Sequence, residues 1–94
     1  MATDDIAVSH NESKSQFEAK VDGKVSVAGY KLSPGTITFT HTSVPEELNG
    51  RGIAGKIVAA GLDYARSKGL KVVPQCPYVA KYMERHPEYN DLRA

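Results

Sequence analysis

The chain has 94 residues, of which 40% are hydrophobic and 24% are charged, and its formal net charge is +1. This length suits one small domain, which would bury roughly 60–65% of the surface that the unfolded chain exposes. The balanced charge argues against a nucleic-acid-binding surface, because such surfaces carry a basic excess. No apolar run approaches the length of a membrane span, and the polar residues 1–5 do not resemble a signal peptide. We therefore expect a single domain over residues 1–94, frayed at residues 1–5. We also expect a cytoplasmic protein, monomeric or weakly associating, with neither nucleic acid nor membrane as a partner.

The first half of the chain predicts antiparallel strands. Residues 6–10 have weak strand character, and residues 17–21 alternate between apolar and polar, which is the pattern of a half-buried strand. The Asp22-Gly23 dipeptide is a strong signal for a two-residue hairpin, so residues 24–32 are predicted to form the return strand. After a second turn, β-branched residues favour a strand over Thr36–Ser43.

The second half predicts a helix, a short strand and a second helix. Apolar positions recur at helical spacing over residues 52–68, and Gly69 is the expected stop. Residues 70–73 resemble a short buried strand, and a helix between two strands favours a parallel crossover. Together these elements predict an α/β (α+β) fold with a mixed, mostly antiparallel sheet and two helices.

The glycine-rich stretch at residues 49–55 lies between a predicted strand and a predicted helix. Such a turn aims several backbone N–H groups at one point, and the helix dipole adds positive potential there, so a phosphate can bind. Its small residues leave room for a ligand, while Arg51 can neutralise a second phosphate. The stretch lacks the Gly-Lys-Ser/Thr of a P-loop. The alternative is a flexible connection whose glycines serve only the turn.

The single cysteine, Cys76, is the residue whose position in the sequence most specifically indicates a chemical role. Pro77 suits the first position of a short helix, which makes Cys76 its N-cap. A sulfur there faces unpaired N–H groups that stabilise a thiolate, so Cys76 is a candidate nucleophile or acyl carrier. The alternative is a small buried hydrophobic residue.

Each of the other candidate site residues has two possible interpretations. On a regular strand, His41 would share the face of Ile37 and Phe39, either as a hydrogen-bonded core residue or as a catalyst. Tyr78 and Tyr82 suit either core or rim aromatics or proton donors. The three histidines and the cysteine show no zinc-ligand spacing, so no metal is expected.

From His41 onwards the chain resembles the Gcn5-related N-acetyltransferase (GNAT) superfamily, and in particular its very small YidJ-type branch. The first half resembles it more loosely. The motifs that carry the resemblance are His41-Thr42-Ser43-Val44-Pro45, the loop Asn49-x-x-Gly52-x-Ala54, Val73-Pro74-x-Cys76-Pro77-Tyr78-Val79, and Arg85-His86-Pro87-Glu88-Tyr89 followed by Asp91-Leu92. Members usually carry helices between their first strands that build much of the acceptor pocket. Here Asp22-Gly23 joins those strands, so the resemblance implies a compact domain without the acceptor-site helices.

The resemblance implies acetyl-CoA as the cosubstrate. Its pyrophosphate would bind the backbone amides of the glycine-rich loop, in which Asn49 replaces the usual Gln or Arg. The pantetheine arm would run between splayed strands at residues 38–43 and 70–73, with the thioester near His41, Thr42 and Cys76. The coenzyme-binding residues that the resemblance implies are Thr42, Ser43, Val44, Asn49, Gly50, Arg51, Gly52, Ile53, Ala54, Gly55, Lys56, Cys76, Tyr78 and Tyr82.

The implied activity is acetyl transfer from acetyl-CoA to an unidentified amine, which a protein could supply. In a direct route, His41 or a water that it orders takes the amine proton. In a covalent route, Cys76 first accepts the acetyl group. The tyrosine that often protonates the departing thiolate would fall near Met83, with Tyr82 beside it. The alternatives are a non-catalytic module that binds acetyl-CoA or CoA, and a protein-interaction adaptor.

Overall fold

A computed structural model of the protein describes residues 6–94; the fraying expected of residues 1–5 lies outside that range. Five strands form one sheet in sequence order, with the first four antiparallel and the last parallel to its neighbour. The mixed, mostly antiparallel sheet predicted from the sequence is therefore confirmed. The strands are β1 (Val8–Asn11), β2 (Gln16–Val21), β3 (Lys24–Ser33), β4 (Thr36–Ser43) and β5 (Lys71–Pro74).

Both helices pack on one face of this sheet. Helix α1 (Ile53–Lys68) is the crossover from β4 to β5, and α2 (Pro77–Arg85) follows β5. Three short 3-10 segments complete the described chain at Glu12–Lys14, Glu46–Leu48 and Pro87–Leu92. Over residues 6–94, no helix has the length and apolar character needed to cross a membrane.

The hydrophobic core lies between the sheet and the helices. Phe17 and Phe39 point from the sheet into one buried cluster with Leu62 of α1 and Val79 of α2. The other face of the sheet, here called the open face, carries no helix among the described residues. Val25 on that face is 48% exposed. The molecule is thus a two-layer structure in which one side of the sheet meets solvent.

The acceptor-site helices of larger family members have no counterpart between the described strands. A 3-10 turn, Glu12–Lys14, joins β1 to β2, and Asp22 and Gly23 join β2 to β3 with positive φ angles of 53° and 76°. Two consecutive positive φ angles are the geometry of a tight type I′ hairpin. The predicted absence of helices at these connections is confirmed.

A β-bulge in β4 changes the face on which His41 lies. Gly29 pairs with His41 and Tyr30 pairs with Phe39, so Thr40 is an extra residue without a partner on β3. A bulge of this kind reverses the alternation of side chains beyond it. The expectation that His41 shares the face of Phe39 is therefore wrong, since it assumed a regular strand. His41 lies on the open face.

Gly29 makes room for the ring of His41. A Cβ atom at Gly29 would overlap the imidazole, so only glycine permits this close approach. Nδ1 of His41 is also 3.1 Å from the hydroxyl oxygen of Thr40. The bulge residue and the glycine together hold the imidazole close to the open face of β3.

The segment Pro87–Leu92 fastens the far end of α2 to α1. Arg66 of α1 donates a 2.9 Å hydrogen bond to the Asp91 carboxylate, and the Tyr89 hydroxyl donates one of 3.1 Å to Asp63. Burial, and then the charge and hydrogen bond of Asp63, raise the pKa of Tyr89 to about 12. These contacts fix the position of α2 relative to α1, and hence the walls of the site described next.

Candidate functional site

The first backbone N–H groups of α1 have no capping side chain as a hydrogen-bond partner among the described residues. Gly50 and Gly52 have φ angles of +83° and +75°, a region that residues with a side chain rarely adopt. No side chain caps the helix at Gly52, and the first helical N–H bonded back to it is that of Lys56. The N–H groups of the first turn therefore point outward. That turn holds no acidic residue to reduce its positive potential.

A cavity of about 300 Å³ opens at this end of α1. Val44 comes from the end of β4 and Tyr78 from the first turn of α2, so three elements meet around it. The end of the strand, the glycine-rich loop and the second helix therefore converge at this cavity. The lining residues are Val44, Leu48, Asn49, Gly50, Gly52, Ile53, Ala54 and Tyr78. Leu48 was not predicted, because a buried residue in a polar loop is recognised only from the packing.

Strands β4 and β5 separate next to this cavity. Their pairing ends at Phe39 and Pro74, and the N–H of Cys76 then donates a 2.8 Å hydrogen bond to the carbonyl of Phe39. Beyond that point no residue of β5 pairs with β4. The separation predicted at residues 38–43 and 70–73 therefore starts later than expected, since Thr38 is still paired with Val73.

Cys76 lies where the two strands separate. It is the N-cap of α2, with Pro77 next to it, as the sequence predicts, and it is only 4% exposed. Its Sγ is 3.7 Å from Oγ1 of Thr42, a contact in which either atom could donate. The structure thus brings Thr42 and Cys76 together on the helix side of the sheet. It does not bring His41 to them, because His41 lies on the open face.

Arg51 is turned away from the start of α1. Its guanidinium donates a 2.8 Å hydrogen bond to the carboxylate of Asp22 in the β2–β3 turn. The two side chains are 39% and 67% exposed, and a pair this exposed stabilises by about 0–1 kcal/mol. Because this ion pair stabilises so little, Arg51 can leave Asp22 and bind an anionic ligand with only a small loss of free energy. The partner role of Asp22 was missed because the two residues meet only through the fold.

Tyr78 and Tyr82 pack against the small residues of α1. A Cβ atom at Gly55 would lie 3.5 Å from the Tyr78 hydroxyl oxygen and 3.5 Å from the Tyr82 ring. Burial, and then the nearby Tyr78, Glu88 and Asp63, raise the pKa of Tyr82, so its hydroxyl keeps its proton at neutral pH.

Two further hollows border Tyr82, and one of them also borders Tyr78. One of about 440 Å³ runs along α1 past Gly52, Gly55 and Lys56 to Tyr82. The other, of about 220 Å³, lies on α2. Its lining residues Lys81, Arg85 and His86 were not among the predicted site residues, although their helical spacing from Tyr78 and Tyr82 was a usable signal. The hollow on α2 is lined by Tyr78, Lys81, Tyr82, Arg85 and His86.

Comparison with known proteins identifies the class. Residues 16–92 match the sequence model of the GCN5-related N-acetyl-transferase family, and the chain belongs to that family. Enzymes of this family generally use acetyl-CoA as the cosubstrate. The resemblance noted in the sequence is thereby confirmed.

The similar proteins include several named NATD1. The one from Xenopus tropicalis is 32% identical over 85 residues, which cover 87% of this chain and 78% of that protein. The one from Danio rerio is 29% identical over 89 residues, covering 89% and 81%. A GCN5-like protein from Staphylococcus aureus, solved by NMR, superimposes with a TM-score of 0.74 over 94% of this chain and 87% of that one. At 23% identity this likeness shows the shared fold.

Proposed function

We propose that the protein binds acetyl-CoA at the start of α1 and transfers its acetyl group to an amine. The supporting observation is the uncapped first turn of α1, which opens beside Gly50 and Gly52 into the cavity described above. Backbone N–H groups at a helix start bind phosphates well, and the glycines let a diphosphate approach the main chain. Asn49, Ile53, Ala54, Gly55 and Lys56 complete this proposed diphosphate site.

The pantetheine arm would lie in the gap between the end of β4 and α2, past Val44, Ser43 and Thr42. Its thioester would then reach Cys76. In the direct route, the acceptor amine reaches the thioester from the open face through the gap between β4 and β5. Because His41 lies on that face and does not contact Thr42 or Cys76, a water that His41 orders takes the amine proton. The amine nitrogen attacks the thioester carbonyl, the carbon–sulfur bond breaks, and the departing thiolate takes a proton from Tyr82. The absence of helices between the first strands leaves that face accessible to a bulky acceptor, such as a protein.

The direct route makes a specific prediction for Cys76. The thiol is 4% exposed and its one side-chain hydrogen-bond partner is the hydroxyl of Thr42, which is not a base. We therefore expect Cys76→Ala to keep its amine acetylation rate within about tenfold of the unchanged protein, because one neutral hydrogen bond contributes about 0.5–1.5 kcal/mol. Intact mass spectrometry with acetyl-CoA should show no covalent acetyl group on the unchanged protein. A gain of one acetyl group that Cys76→Ala abolishes would instead establish the covalent route.

Coenzyme binding itself is tested by an NMR titration with CoA. We expect the amide signals of residues 50–56 to shift, while those of Gly35, in the turn at the other end of β4, stay in place. If no amide signal of the loop shifts, the proposal is wrong and an adaptor without a small ligand is favoured. Shifts without turnover of any amine in a broad panel would leave a non-catalytic coenzyme-binding module.

A further inference from the structure

A row of aromatic rings runs along the exposed side of α2. The rings of Tyr78 and Tyr82 are stacked with centroids 6.4 Å apart, and those of Tyr82 and His86 are stacked at 3.9 Å. The Nδ1 of His86 donates a 2.8 Å hydrogen bond to the carbonyl of Tyr82, which fixes the ring in this orientation. Tyr78 at the end of the row is 41% exposed. A planar ligand can therefore stack on it.

Two cations lie beside this row in the same hollow. Lys81 and Arg85 are four residues apart on α2, and both line the hollow of about 220 Å³ together with the three rings. Within residues 6–94, neither takes part in an ion pair. The acidic residues of this segment, Glu84 and Glu88, do not line it. The hollow thus presents aromatic faces and two available positive charges, which suits a flat base that carries a phosphate.

The hollow is adjacent to the proposed diphosphate site. It shares Tyr78 with the cavity at the start of α1. It shares Tyr82 with the hollow along α1, which itself begins at Gly52. A molecule whose diphosphate binds at Gly52 can therefore extend one end towards Cys76 and the other onto α2.

We propose that this hollow on α2 binds the 3′-phosphoadenosine end of CoA, an inference that rests on the proposed function. The adenine stacks on the aromatic row at Tyr78, and Lys81 and Arg85 hold the 3′-phosphate. Stacking on an aromatic side chain is favourable for any base, because every base has a π-face. Lysine and arginine are the side chains best suited to a phosphate, arginine through paired N–H donors.

The test compares CoA with dephospho-CoA, which differs only in lacking the 3′-phosphate. We expect the unchanged protein to bind CoA at least about tenfold more tightly, because hydrogen bonds to charged groups are the stronger kind. In the double variant Lys81→Gln/Arg85→Gln, the affinity for CoA should fall to that for dephospho-CoA, which itself stays unchanged. Isothermal titration calorimetry of both ligands on both proteins gives the four affinities.

A matched control removes two positive charges elsewhere. Lys20→Gln/Lys31→Gln changes two exposed lysines of β2 and β3, remote from α2, and should retain the preference for CoA. Equal binding of the two ligands by the unchanged protein would overturn the inference and leave the proposed function intact. An equal loss of affinity for both ligands in the Lys81→Gln/Arg85→Gln variant would also overturn the inference. It would indicate that the hollow binds another anionic group, such as an acidic acceptor peptide. No binding of either ligand would remove the proposed function as well.

Discussion

Gly52→Asp is expected to weaken CoA binding by at least about a hundredfold, because two unit charges 4 Å apart repel by about 4 kcal/mol at an effective dielectric constant of 20. The substitution places a carboxylate at the uncapped start of α1, where the diphosphate is proposed to bind. It also adds a side chain at a position with a φ of +75°. The expected loss therefore has two sources, charge and backbone strain, which need to be separated.

Gly52→Asn separates them. Asparagine has almost the same size as aspartate and tolerates a positive φ equally well, but it carries no charge. A Cβ at Gly52 meets no atom within 4 Å, so neither variant introduces a clash within the protein. We expect Gly52→Asn to lose no more than about 30-fold in CoA affinity, since the left-handed conformation costs roughly 1–2 kcal/mol, which is about 5- to 30-fold. If both variants bind CoA equally well in calorimetry, the diphosphate does not lie at this helix end.

Short-range rules explain why much of the fold was predictable. The Asp22-Gly23 hairpin, the end of α1 at Gly69 and the start of α2 at Pro77 all depend on residues adjacent in sequence. Glycines at positive φ and a proline at the first helical position act locally, so they can be recognised without knowing the partners. The glycine-rich loop was predictable for the same reason.

The side of the sheet on which the last residues of β4 lie was not predictable in this way. Ile37, Phe39 and His41 alternate as if they shared one face, yet His41 lies opposite to Phe39 because Thr40 is bulged. Nothing in the strand itself marks Thr40 as the extra residue. The bulge becomes visible only from the pairing with β3, where Gly29 provides space for the displaced ring.

Pairings between distant residues were missed for a related reason. Asp22 and Arg51 are 29 positions apart, and Thr42 and Cys76 are 34 apart. No local spacing can indicate such contacts. The aromatic row on α2 is an intermediate case. Its four-residue spacing is visible in the sequence, but the hollow that its rings line is seen only in the structure.

The bulge leads to the second prediction, which concerns deletion of Thr40. Removing this one residue leaves every other pair of β3 and β4 in register, with Phe39 still on the helix side and His41 still on the open face. The fold should therefore survive, whereas the bend that a bulge gives its strand should be lost. Since β4 separates from β5 directly after Phe39, we expect the straightened strand to close the gap next to Cys76. CoA affinity should then fall by at least about tenfold, which is about 1.4 kcal/mol of binding free energy.

Thr40→Ala is the matched control, because it keeps the extra residue and removes only the γ-methyl group and the hydroxyl that contacts His41. This variant should bind CoA like the unchanged protein, so a loss confined to the deletion is attributable to the backbone. Amide signals dispersed as in the unchanged protein would show that the deletion variant is folded. A folded deletion variant with undiminished CoA affinity would mean that the bulge does not open the coenzyme site. The separation of β4 from β5 would then have to come from the turn of the chain into α2 after Cys76.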